Sequence, residues 1–169
     1  MSRILPVALI CALIVSVFGF AQPALGQREQ VPPWRIPMPA ARATAEIVVG
    51  ETPLTVEVAV SSREQQLGLG YRNGLEPGTG MLFVFQEPSE RVFSMRGMRF
   101  CLDIVWIANG EIVGAAENAC PDPEETADAD RARYSSEEAV THVLEVPAGW
   151  LADNGYGPGT RVRNPNALD

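Results

Sequence analysis

No lysine occurs anywhere in the 169 residues; all 13 basic side chains are arginine. That excludes Schiff-base chemistry and every mechanism built on a catalytic lysine. Acids outnumber bases, 21 to 13, for a net charge of −8. With no basic stripe to track a phosphate backbone or an anionic membrane surface, nucleic acid is not an expected partner and neither is anionic lipid. Histidine is nearly missing as well: His142 is the single one. A Ser-His-Asp arrangement would have to use it, and no Gly-x-Ser-x-Gly elbow is present. Phosphate-binding loops and dinucleotide fingerprints are also absent, so no cofactor is implied. Three cysteines, one of them in the N-terminal apolar run, leave too few soft ligands for a structural zinc site.

The N-terminus reads as a targeting segment. Arg3 precedes an apolar run from Leu5 to Phe20, and Ala24-Leu25-Gly26 fits a small-x-small cleavage site before Gln27. Residues 1–26 are therefore expected to be a signal peptide and the rest an exported, periplasmic or extracellular protein. The alternative is an uncleaved N-terminal anchor, the one route by which this chain would meet a membrane. Residues 27–43 are proline-rich and aperiodic, as a linker or arm would be. A single domain is expected over residues 44–169.

Within that domain the pattern is of many strands and two short helices. "TAEIVVG" and "LTVEVAV" are β-rich, the second alternating cleanly. Ser61 and Glu64 have capping-box spacing, which predicts a helix from Ser62, ended by Gly68 and Gly70. "MLFVF" reads as a covered strand. Asn109-Gly110 between two strand patterns predicts a tight hairpin. "AVTHVLEV" is the last full strand, Pro147 stands where the first turn of a second helix is expected, with Gly155 as its terminator, and "GTRVR" suggests a final short strand. The expected fold is mainly β (α+β), a compact barrel or sandwich.

Asp103 lies inside the apolar run "CLDIVWI". With Asn109 and Gly110 as the turn, Ile107 is expected opposite Ile112, Val105 opposite Gly114 and Asp103 opposite Ala116. Leu102, Ile104 and Trp106 would then face the core, and Asp103 would stand on the other face over small residues that leave room for a chain segment or a ligand. Cys101 would face Asn118, one diagonal step from Cys120, so that a small bulge brings the two into disulfide range. A buried carboxylate needs partners. One reading makes Asp103 a pin for the "MRGM" turn; the other makes a polar pocket of Asp103 and Arg96, with Arg72 and Glu145 as further members.

Four motifs occur in order: "QLGLGYR", "GMLFVF", "FSMRGMRFCLDIVWI" and "HVLEVPAGW" followed by "NGYGPGTRV". Together, over about residues 46–163, they resemble the domain-of-unknown-function 192 family, whose usual pattern runs "GLM-R", "GMLF-F", "FWMKNT-IPLDIIFI" and "VLE-AG". The resemblance implies a compact β-rich fold and many exported members, and no established activity. Arg72, Gly80, Met81, Met95, Leu102, Asp103, Glu145 and Gly149 fall on that pattern, and Arg96 keeps the positive charge of the family's lysine. The chain departs from it at Gly97-Met98, where Asn-Thr is commoner, and at Cys101, where proline is commoner.

Taken together, these features point to a non-enzymatic exported domain that binds a small ligand or a cell-envelope component through a polar site at Arg96 and Asp103, with Arg72 and Glu145 in support. A glycan-type hydrolase using Asp103 and Glu145 as acid and base is the second expectation, and a purely structural or interaction domain the third. His142 reads as a structural histidine, the methionines 81, 95 and 98 as core filler rather than copper ligands, and the acidic loop near Asp122–Asp130 as solvated, since it lacks EF-hand spacing.

Overall fold

The computed structural model describes residues 42–164. The expected signal peptide, and all but the last two residues of the expected arm, lie outside the described residues. Nine strands and two short helices follow in order: β1 Thr44–Val49, β2 Thr52–Ala59, α1 Ser62–Leu67, β3 Thr79–Ser89, β4 Val92–Phe93, β5 Leu102–Ala108, β6 Glu111–Ala119, β7 Tyr134–Ser135, β8 Val140–Pro147, α2 Trp150–Asn154 and β9 Val162–Arg163. The fold is mainly β, as the strand spacing predicts.

Seven strands form one curled, half-barrel sheet in the order β6-β5-β8-β3-β2-β1-β9. All pairs are antiparallel except β2 and β3, which run parallel and so need a crossover; α1 lies in it. The predicted capping box is present: Glu64 N–H donates to the Ser61 hydroxyl, while Ser61 N–H donates to the Glu64 carboxylate. The C-terminal segment stitches the two ends of the sheet together. Ile112 N–H donates to Thr160 O and Val162 N–H to Gly110 O, while Gly50 N–H donates to Arg161 O.

Both turn residues of the β5–β6 hairpin take positive φ, 53° at Asn109 and 74° at Gly110, which matches a two-residue primed turn. Ala108 pairs with Glu111 and Ile107 with Ile112 as expected, but the register then shifts twice. Val113 is an extra residue, so Val105 pairs with Ala115 rather than Gly114. A second shift lies between the pairs Ile104–Ala116 and Leu102–Ala119, so Asp103 stands opposite the bulge at Glu117 and Asn118 and not opposite Ala116. Asn118 carries the left-handed φ of 52°.

The expectation of one core face and one open face on β5 is also corrected. Val105, Ile107 and Ile112 pack inside the curl with Ile47, Val56, Leu82 and Leu144. Ile104, Trp106, Met81 and Phe83 pack on the outer face under Leu69, Phe93 and Met95. The inner core lies against one side of β5, and the connections after α1 and β4 cover the other, so both faces of this strand are dry. Met81 and Met95 are core residues, as read. The second helix starts later than expected: Pro147 ends β8, paired with Leu102, and α2 begins only at Trp150.

Candidate functional site

Asp103 is fully buried on the inner face. Its Oδ1 accepts from Asn118 N–H at 2.9 Å and Gly149 N–H at 3.0 Å, and its Oδ2 accepts from Leu151 N–H at 3.0 Å. Gly149, at φ 83°, precedes α2 and offers no side-chain cap. Asp103 supplies that cap from another strand, satisfying amides that would otherwise be orphaned at the helix start. This also explains why α2 begins past Pro147. The carboxylate is an architectural pin, though of α2 and the β6 bulge rather than of the "MRGM" turn.

Arg96 does not join it. Its side chain is 72% exposed and forms an ion pair with the likewise exposed Asp128 at 3.6 Å, a contact of little energetic weight. Asp103 and Glu145 do not face each other either. On paired strands β5 and β8, Asp103 is level with Val146 on the inner side, while Glu145 is level with Ile104 on the outer side. The expected Arg96–Asp103 pocket and the expected Asp103–Glu145 acid–base pair are therefore not assembled, because a β-strand sends successive side chains to opposite faces.

The other two predicted residues do come together, with two that sequence reasoning missed. Across the outer face, Thr44 on β1, Glu57 on β2, Met81 on β3 and Glu145 on β8 stand in one row. Glu57 and Glu145 are two strand spacings apart, about 10 Å. Arg72 grips Glu57 with both terminal nitrogens, one at 2.7 Å on Oε2 and the other on Oε1. Arg42 adds a third contact to Glu57 at 3.3 Å and also donates to the carbonyls of Glu64 and Gly68 at the end of α1. Arg42 is buried although it falls within the expected arm. Glu57 reads in the sequence as the polar side of an alternating strand, and nothing in "LTVEVAV" signals that this side is covered.

The cluster's electrostatics split its two acids. The bidentate bond from Arg72 holds the Glu57 carboxyl below its ordinary range against the opposing cost of burial, and the same bond raises the Arg72 guanidinium. Burial pushes Glu145 up to about 8, with Arg42 and Arg72 only partly offsetting it. Its Oε2 accepts no hydrogen bond among the described residues. Beside the cluster a cleft of about 260 Å³ opens, walled by Glu57 and Arg72, by Gly74–Glu76 and by Thr44, Thr55, Thr79 and Gly80.

The remaining site expectation holds: Cys101 and Cys120 form a disulfide. It closes the strand end at which the Asn118 bulge meets Asp103. No group of three or more His, Cys, Asp or Glu side chains among the described residues is placed to hold a metal ion, and no helix among them is long and apolar enough to cross a membrane. His142 is buried, with its Nδ1 2.9 Å from the Thr141 hydroxyl.

Two solved structures are similar to this chain. One is a protein of Sinorhizobium meliloti 1021 described as a candidate transcription regulator, 33% identical, with a TM-score of 0.66 over 73% of this chain and 95% of that one. The other is a protein of unknown function from Novosphingobium aromaticivorans DSM 12444, 27% identical, with a TM-score of 0.64 over 75% of this chain and 89% of that one. No curated protein matches. The model of one family, described as uncharacterized ACR, matches residues 44–164, from the first residue of β1 to the last described residue. The chain belongs to the domain-of-unknown-function 192 family.

Proposed function

We propose that this protein is an exported, non-enzymatic domain that binds a small polar ligand in the cleft beside Glu57 and Arg72. The observation that carries the reading is the clustering of two arginines and two glutamates on one partly covered sheet face, next to that opening. Such groups are costly to bury, and replacing them by apolar residues is often neutral or stabilising, so stability alone is a weak reason to keep them. The cleft is smaller than those that take drug-sized molecules, which suits an occupant the size of one sugar or one amino acid. Its walls offer guanidinium and hydroxyl donors together with carboxylate acceptors, so the ligand would carry both kinds of group. A disulfide and the N-terminal apolar run support export. The net charge of −8 and the absence of lysine speak against a DNA-contacting role for this chain, so the transcription-regulator description of the Sinorhizobium protein is not carried over.

The test is a panel of amino acids and monosaccharides at millimolar concentration, read by amide chemical shifts of the full chain. A member of the panel should shift the amides of Thr55, Arg72, Thr79 and Gly80 saturably, and Arg72→Ala should abolish that response. A panel that leaves these amides unmoved, or moves only amides elsewhere, overturns the assignment of the cleft.

A further inference from the structure

The four charged residues behind the cleft carry a second inference, about how the proposed site is regulated; it rests on the reading of the cleft just given. Glu57 and Glu145 flank Met81 on the outer face. The strands on either side of β8 present only Met81 and Ile104 to Glu145, both uncharged. The charges that reach it are Arg42, from the chain leading into β1, and Arg72, from the turn after α1. Glu57 lies across Met81 and holds both of those arginines, while the carboxylate of Glu64 is engaged by Ser61. Asp103 and His142 belong to the inner face.

The two arginines differ in freedom. Arg42 is tied to two carbonyls of α1 as well as to Glu57, and its side chain is 1% exposed. Arg72 has only Glu57 as a side-chain partner among the described residues, is about a quarter exposed, and lines the cleft. We propose that Arg72 exchanges between Glu57 and Glu145 as Glu145 gains and loses a proton, and that this exchange sets the shape and charge of the cleft. Protonated, Glu145 is a neutral acid and Arg72 stays on Glu57. On ionising, Glu145 releases its proton to solvent and becomes a buried anion; of the two arginines that reach it, Arg72 is the one free to turn toward it. The four residues then pass from a net charge of +1 to zero. Glu57 keeps only Arg42, and its Oε1 turns from an occupied acceptor into one open to the cleft. The burial that holds Glu145 protonated up to about 8 places the change just above neutrality.

The test needs no ligand. In the uniformly labelled full chain, the ¹³Cζ resonance of Arg72 should move between pH 6 and 9.5 with a midpoint near 8, and that of Arg42 should move much less. Arg72→Lys assigns the signal by its loss. Glu145→Gln, a neutral near-isostere of the protonated acid, should leave Arg72 static over the whole range. An Arg72 resonance that stays fixed in the wild-type protein, or one that still moves in Glu145→Gln, overturns the exchange. The cleft reading fails separately: probes that never shift the cleft amides, alongside an Arg72 that titrates, leave the switch standing without a ligand. Probes that bind beside a static Arg72 remove the switch alone.

Discussion

Asp103 and Glu145 are both buried acids on adjacent strands, and their surroundings give them opposite meanings. Asp103 meets three backbone N–H donors, so its burial is compensated and its role is to fix α2 and the β6 bulge. Hydrogen bonds to a charged group contribute roughly 1.5–3 kcal/mol each and are not additive. Asp103→Asn replaces one acceptor oxygen by an amide that confronts an N–H donor, and it should cost about 2–4 kcal/mol, read as a lower urea midpoint at unchanged slope. A variant as stable as the parent would show that those three bonds do not pin the fold. Gly97 is a subtler case. At φ 75°, with the Tyr71 ring 3.3 Å from where a Cβ would stand, it occupies a backbone state that Gly and Asn tolerate best. The departure from the family's asparagine at this position therefore preserves the backbone requirement. Gly97→Val should destabilise the "MRGM" turn by about 1–3 kcal/mol, detectable as faster amide exchange at Tyr71, whose N–H donates to Gly97 O; unchanged exchange there would count against the strain.

At the scale of elements, the disulfide fastens the end of β5 to the residue just past β6, across a separation of 19 residues. Closing a loop of that length stabilises by about 3 kcal/mol in the chain-entropy model. The double variant Cys101→Ser/Cys120→Ser should lose about that amount, with the greatest loss of amide protection at Asn118 and Leu151, because both depend on Asp103. Equal stability of the two proteins in a urea titration would contradict this. Local signals of this kind were legible in the sequence. The Ser61–Glu64 spacing and the Asn109-Gly110 pair each act within four residues, and their structures follow from the turn chemistry of the residues themselves. What was not legible lies at long separation. Asp103 finds two of its donors 46 and 48 residues away. Arg42 reaches carbonyls 22 and 26 residues on. The two bulges in β6 shift the facing of Asp103 without any glycine or proline to announce the second. Alternation told which residues share a face of β2, but the arrival of Arg72 from the chain after α1 and of Arg42 from the chain before β1 is a tertiary fact, so nothing singled out Glu57.

For the whole molecule, the cluster predicts the shape of stability against pH. Glu57 has a folded-state carboxyl held below the ordinary value, so the folded protein binds fewer protons there than the unfolded chain. Its contribution is present above about pH 4.5 and is lost as pH falls through its folded value. Glu145 is raised from 4.5 to about 8, so between those limits the folded protein holds a proton that the unfolded chain has released. Stability is therefore full below about pH 4.5 at this residue, declines as pH rises, and levels off above about 8. The two effects together put the optimum on the acid side of neutrality. At pH 7 the Glu145 contribution costs on the order of 3 kcal/mol, a magnitude a fold would be expected to shed unless the residue serves the cleft.

The most direct measurement is the unfolding free energy of the wild-type protein and of Glu145→Gln, from urea titrations at intervals between pH 4.5 and 9. The wild-type protein should lose stability steadily up to about pH 8, while Glu145→Gln should lose far less over that window and be the more stable of the two at neutral pH. Parallel profiles, or a Glu145→Gln variant weaker than the wild type at every pH, would mean that Glu145 is a satisfied structural anion and that the cluster is part of the scaffold.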